Sequence, residues 1–241
     1  MLKDGLISNN PKHSALKYSK GFNFAEVLIL IVIFGIITTA AFFLFQTNKK
    51  NTENKEIAEK LKNTYNILSR ATSELIYQYG TPKASAGGWA VSSEKIMKMY
   101  KNKLFVTYEC PDSTGCSKST MYKSLSGDSY EYYNQNSKYK RSYIILHNGA
   151  KVFFIVNDSM KNCTYSKYGS KNQCATLLVD LNAEKAPNQI GIDSFYFALK
   201  ENGLFPRGSD EKGFCNDSSK PNSSVGFGCA SKVLLEGAIN Y

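Results

Sequence analysis

Histidine is almost missing from this 241-residue chain: there are two, and beyond residue 21 only His147 remains. Chemistry that turns on an imidazole base has that one candidate, and His147 stands just before an Asn-Gly pair, the place of a strand-end surface residue. Gly-rich phosphate loops, G-x-S-x-G and H-E-x-x-H are absent, and the carboxylates are scattered without paired spacing. No enzyme class finds its groups here. No C-x-x-C pair occurs either, which together with the scarcity of histidine removes the usual zinc sites. Acidic residues are the minority, 20 against 30 Lys and Arg, for a net charge of +10. Lys3, Lys12, Lys17 and Lys20 against Asp4 put +3 of that into residues 1–21 and leave +7 for the rest. No basic block interleaved with aromatics stands out in the remainder, so nucleic acid is not indicated as a partner.

Apolar residues are plentiful by contrast: a 42% share, with 16 Tyr and 14 Phe, excludes a solvated, disordered chain. The length suits one folded domain with something extra at one end. All six cysteines lie beyond residue 100 and fall along the chain as Cys110 with Cys116, Cys163 with Cys174, and Cys215 with Cys229. An even count in local pairs suits an oxidising compartment, although the other pairings of six cysteines stay open.

From Phe22 to Phe45 run 24 residues with a single charge, Glu26. At about 1.5 Å per residue such a helix crosses a bilayer core. A secretory signal ends its apolar region with small residues before the cut. Here the order is inverted: a basic leader reaches Gly21 before the apolar run begins, so a cut there leaves the run on the mature chain. Lys49, Lys50, Lys55, Lys60 and Lys62 follow the span about as densely as lysines precede it, so the positive-inside rule does not orient it. The cysteines do, placing residues 100–241 outside the cytoplasm and the leader inside. Glu26 is the anomaly, because a carboxylate in a spanning helix costs a few kcal/mol unless paired or neutralised. A cut after Gly21 creates an amino group on Phe22, one helical turn away, and a neighbouring copy's amino group supplies the same charge. The plain alternative is an uncleaved anchor with Glu26 near the membrane interface.

Lys20, Gly21, Phe22 and Glu26, followed by the apolar run, resemble the processing motif of the type IV pilin and type II secretion pseudopilin superfamily. Asn23, Phe24 and Ala25 stand where that family usually has Thr, Leu and Ile, and the leader is longer than in many members. The resemblance implies that a prepilin peptidase cuts after Gly21, that Phe22 becomes the N-methylated first residue, and that Glu26 recruits the next subunit. It also implies a place in the bacterial inner membrane before assembly. The partners are then other pilin or pseudopilin subunits, the peptidase, an inner-membrane assembly platform and membrane lipid. The folded part is periplasmic, or extracellular in a filament. A minor pilin or pseudopilin is the expected role, since about 160 residues after the helix leave room for extra loops.

After the span, Ile57, Leu61, Tyr65, Leu68, Ala71, Leu75 and Tyr79 recur every three or four residues among polar ones, the mark of a helix burying one stripe. Gly80 and Pro82 stop it. Phe22 to Tyr79 reads as one helix of about 85 Å. Beyond Trp89 come β-rich runs: LFVTYE from 104, YIILH from 143, KVFFIV from 151, ATLLVDL from 175 and SFYFAL from 194. Asn148-Gly149 joins the second to the third as a hairpin, and Asn202-Gly203 makes another after the last.

The expected fold class is α+β. A long N-terminal helix, transmembrane in its first half and amphipathic in its second, packs on an antiparallel sheet with disulfide-closed loops, an arrangement that resembles the pilin fold. The divisions are a leader at 1–21, a membrane or filament-core helix at 22–46, its amphipathic continuation at 47–80 and an extracytoplasmic β-rich domain at 81–241. The segment from Gly213 reads as a loop with one short apolar run at Val233 to Leu235, closed by Cys215 and Cys229, and resembles the disulfide-bounded loop near the C-terminus of many pilins. Asp180, Asn182 and Glu184 alternate, with Asp193 following. Some pseudopilins hold calcium in a loop beside the sheet, and this segment resembles such a loop in outline. The alternative is an Asx-rich turn bonding its own backbone, and an EF-hand is excluded by Lys185 and Gly191. No other cofactor is expected.

Overall fold

The computed structural model describes residues 23–111, 116, 122–130, 141–183, 185–211, 214–216 and 225–241. Two compact units divide the chain, Met1–Lys49 and Lys50–Tyr241, and helix α1 (Phe24–Tyr79), 56 residues long, contributes to both. Within the first unit every described residue of α1 is exposed, and the helix is long and apolar enough to cross a membrane. The hydroxyls of Thr38, Thr39 and Thr47 bond back to the carbonyls of Phe34, Gly35 and Phe43. These polar side chains are thereby satisfied inside the helix and ask nothing of an apolar surrounding.

In the second unit α1 buries Ala58, Leu61, Thr64, Leu68, Ala71, Thr72 and Leu75, a stripe at helical spacing. Ile57 and Tyr65 pack along its margin. Tyr79 departs from the expected stripe and is exposed; it lies in the last turn, where Gly80 adopts φ 75° and donates its N–H to the Ile76 carbonyl at 2.9 Å. Trp89 Nε1 then bonds the Gly80 carbonyl at 3.1 Å and fixes the exit of the chain.

Where β-rich runs were expected to begin, a second helix comes first. Helix α2 (Ser93–Lys101) is capped by Ser92, whose hydroxyl accepts from the Lys95 N–H at 3.2 Å, and carries Lys98 and Lys101 in its last turn. It buries Ile96, Met97 and Tyr100. At nine residues it is too short to declare itself by periodicity.

The five expected runs all form strands of one sheet: β1 (Val106–Cys110), β4 (Ser142–Leu146), β5 (Lys151–Ile155), β8 (Ala175–Asp180) and β9 (Ser194–Lys200). A sixth, β10 (Gly203–Pro206), completes the order β1-β4-β5-β8-β9-β10, antiparallel throughout. The β4–β5 hairpin turns through His147, Asn148 and Gly149, with Gly149 at φ 80° and its N–H on the Leu146 carbonyl at 2.8 Å. In the β9–β10 hairpin Lys200 pairs with Gly203, so the turning residues are Glu201 and Asn202, and Gly203 already belongs to the strand. Two small ribbons lie outside the sheet: β2 (Tyr122–Lys123) with β3 (Ser129–Tyr130), and β6 (Tyr165–Lys167) with β7 (Ser170–Gln173).

Alternate strand residues feed two cores. Ile144, Leu146, Val152, Phe154, Leu177, Val179, Phe195, Phe197 and Leu199 join the α1 stripe, α2 and residues of helix α3 (Cys229–Glu236) in one cluster. Tyr65 stacks on Phe197 at 5.4 Å between centroids, and Thr72 Oγ1 meets the Tyr100 hydroxyl at 2.5 Å. The opposite face contributes Cys110, Tyr143, Phe153, Ile155, Leu178 and Tyr196, covered by Tyr122, Ile190 and Phe227. Both faces are therefore covered, which is why these strands read as continuous apolar runs rather than alternating ones. The fold is α+β, an N-terminal helix packed on an antiparallel sheet.

All three local disulfides form: Cys110–Cys116, Cys163–Cys174 and Cys215–Cys229, spanning 6, 11 and 14 positions. The C-terminal segment is not a loop throughout. Its apolar run sits in α3, which starts at Cys229 and ends at Gly237, whose N–H bonds the Val233 carbonyl at 2.9 Å.

Candidate functional site

Gly21 and Phe22 lie outside the described residues. Just beyond them Asn23 and Glu26 form a reciprocal cap: Glu26 N–H donates to Asn23 Oδ1 and Asn23 N–H donates to Glu26 Oε2, each at 2.9 Å. This is the capping-box geometry with Asn in the Ser/Thr position, and it satisfies two amide groups at the start of α1. The acidic side chain also faces the positive end of the helix. One carboxylate oxygen of Glu26 is thus used locally. Its other oxygen, Oε1, takes no hydrogen bond from the described residues.

The acidic loop assembles at the β8–β9 turn. Asp180 ends β8 and is fully buried, and Asp193, also buried, immediately precedes β9. Asp180 Oδ1 accepts from Asn182 N–H at 3.1 Å, and Oδ2 accepts the Tyr122 hydroxyl at 2.5 Å. Asp193 Oδ1 accepts from Gln189 N–H at 2.6 Å and the Ser194 hydroxyl at 3.1 Å. Its Oδ2 accepts from Asn188 N–H at 2.8 Å and Asn182 Nδ2 at 3.1 Å. Burial, joined by the charge of nearby Asp193, pushes the Asp180 carboxyl up to about 7 against the pull of the Tyr122 hydroxyl. Burial likewise raises Asp193, opposed by the Gln189 and Asn188 amides.

Every oxygen of the two carboxylates has a donor, and among the described residues of the loop Asn182 Oδ1 is buried without a hydrogen-bond partner. A calcium ion takes about six to eight oxygens. In the described part of this loop the carboxylate oxygens accept hydrogen bonds from Asn182, Gln189, Asn188, Ser194 and Tyr122, as in an Asx-rich turn that ties down its own backbone. Glu184 lies outside the described residues. No group of three His, Cys, Asp or Glu arranged to hold a metal occurs among the described residues.

His147 is exposed in the β4–β5 loop with no carboxylate or nucleophile bonded to it among the described residues. Sequence patterns gave no sign of Tyr122 as the hydroxyl on Asp180. The two are 58 positions apart and meet only because β2 lies across the second face of the sheet. No family model, curated protein or solved structure matches the chain.

Proposed function

We infer that this chain is a structural filament subunit, a minor pilin or pseudopilin of a type IV pilus or type II secretion filament. A prepilin peptidase cuts it after Gly21, Phe22 becomes the methylated first residue, and the subunit is held in the inner membrane by the first half of α1 until it is extracted into the filament. The observation that carries this reading is the order of parts at the N-terminus. A basic leader ends in Gly21, an apolar helix with one carboxylate at its start follows, and that helix continues without a break to Tyr79. A plain anchor needs neither the carboxylate nor the inverted order, and the α+β architecture agrees with the pilin arrangement.

In this reading the Asn23–Glu26 cap has a second use. It holds the carboxylate at the first turn of α1 with Oε2 occupied and Oε1 taking no hydrogen bond from the described residues. Oε1 then takes the methylated amino group of Phe22 from a neighbouring subunit, and two charges that are costly alone enter the filament core as a pair.

The intact mass of the membrane-extracted protein tests the processing. A chain beginning at Phe22 with one added methyl is expected. A chain beginning at Met1 would overturn the proposal in favour of an uncleaved single-pass protein that displays a binding or sensing domain. Glu26→Gln tests the pairing separately, because Gln keeps the cap while removing the charge. Normal cleavage with loss of incorporation into filaments is expected, and unchanged incorporation would remove the charge pair from the mechanism.

A further inference from the structure

On the sheet face opposite α1 a cavity of about 330 Å³ opens in the second unit, walled by Tyr165, Tyr168 and Phe227, with Ser159 and Lys167 at its edge and Arg207 among its lining residues. Arg207 is only 4% exposed. Its Nε and Nη2 bond Gln173 Oε1 at 3.3 and 2.9 Å, and Nη2 bonds Thr176 Oγ1 at 2.7 Å. Its charge lies 5.0 Å from the Tyr196 ring centroid and 5.6 Å from that of Tyr168. All these partners are neutral: Arg207 forms no ion pair among the described residues, and Nη1 makes no hydrogen bond there. A buried guanidinium is costly without an anion, and contacts to amide, hydroxyl and ring faces offset only part of that cost.

The chain also holds this arginine in place from behind. Arg207 N–H bonds the Tyr196 carbonyl at 3.0 Å, and its own carbonyl accepts from Ser231 N–H at 3.1 Å. The β6–β7 ribbon turns through Tyr168 and Gly169 at φ 55° and 72°, the tight two-residue turn that needs positive φ twice. Gly169 and Gly208 touch so closely that a Cβ on Gly169 would sit 2.9 Å from Gly208 Cα. This close approach sets Tyr168 beside Arg207 and rigidifies a site of ligand-binding size.

We propose that this cavity binds an acidic sugar: its carboxylate rests on Arg207 Nη1, its ring packs on the Tyr165, Tyr168 and Phe227 walls, and its hydroxyls meet Ser159 and Lys167. One open nitrogen suits one oxygen of a carboxylate, aromatic walls suit the apolar face of a pyranose, and the polar rim suits its hydroxyls. The proposal is independent of cleavage at Gly21 and of filament assembly.

The test uses the full chain in detergent and measures binding of sodium glucuronate, glucose and sodium benzoate by saturation-transfer NMR and equilibrium dialysis. Glucuronate is expected to bind at least about tenfold more tightly than glucose, the effect of one charge-assisted hydrogen bond. Arg207→Gln is expected to abolish that preference, and Lys167→Ala, at an exposed position, to weaken glucuronate by about threefold. Equal binding of glucuronate and glucose to the unaltered protein would overturn the proposal whatever the variants do. Binding of benzoate without glucuronate would overturn the sugar assignment.

Discussion

Asp180→Asn should flatten the pH dependence of folding stability. Asp180 is fully buried at the end of β8, hydrogen-bonded to Tyr122 and to Asn182 N–H. Its carboxyl is pushed from 3.8 to about 7, chiefly by burial, with Asp193 adding to the rise and Lys151 and Tyr122 opposing it. The folded chain therefore holds a proton that the unfolded chain releases near pH 4. The stabilisation is complete below that point and is lost as pH climbs through the folded value. Asp193 is raised as well and adds with the same sign. Asp210 is held low by Lys200 and Lys171 N–H against the effect of burial, so its contribution changes only in more acid solution. At about 1.4 kcal/mol per pH unit, the displacement of Asp180 corresponds to about 4 kcal/mol lost between pH 4 and 8.

Asparagine keeps the geometry. Its Oδ1 accepts from Asn182 N–H as before, and its Nδ2 donates to the Tyr122 oxygen in place of receiving the hydroxyl proton. Trp89, the single tryptophan and a buried one, reports unfolding in urea. Measured at pH 5 and at pH 8 with disulfides intact, the unaltered protein should lose a few kcal/mol across that range, and the variant should lose clearly less. The remainder belongs to Asp193. Parallel profiles for the two proteins would refute the assignment of the raised carboxyl to Asp180.

Two further changes probe the frame around the sheet. Leu68→Ala removes a side chain with 0% exposure from the centre of the α1 stripe and should cost about 2–5 kcal/mol in the same urea assay; a loss under about 1 kcal/mol would mean that α1 is not the lid of this core. Replacing Cys215 and Cys229 together by Ala removes the disulfide that closes 14 positions. It should lower stability by about 3 kcal/mol under non-reducing conditions, and an unchanged midpoint would show that α3 is held by packing alone.

The strands were legible because their signal is local. KVFFI, ATLLVD and SFYFALK concentrate β-branched and aromatic residues in short runs bounded by turn residues. Glu26 was legible for the opposite reason, as the one charge in 24 apolar positions. The cap that holds it was also within reach, since Asn23 and Glu26 stand at capping-box spacing. Helix α2 escaped because nine residues give too few turns for a stripe to stand out, and β10 because four residues ending in Pro206 look like the tail of a turn.

The acidic loop shows a different limit. Asp180, Asn182 and Asp193 stood out by residue type, yet the donors that surround the two aspartates are the Asn188 and Gln189 amides and the Tyr122 hydroxyl. Backbone amides have no signature in a sequence, and Tyr122 lies 58 positions from Asp180. The same holds for Arg207, which reads as an ordinary turn residue between Pro206 and Gly208. Its burial follows from the ribbon laid over the sheet's second face, where Tyr168 and Phe227 come within 4.3 Å of each other, ring centre to ring centre. The unalternating strand runs already required that this face be covered. Residues from β2, from the β6–β7 ribbon and from the loops around them cover it, and because these segments bring polar groups with them, the second face holds both the raised carboxyl of Asp180 and the cavity beside Arg207.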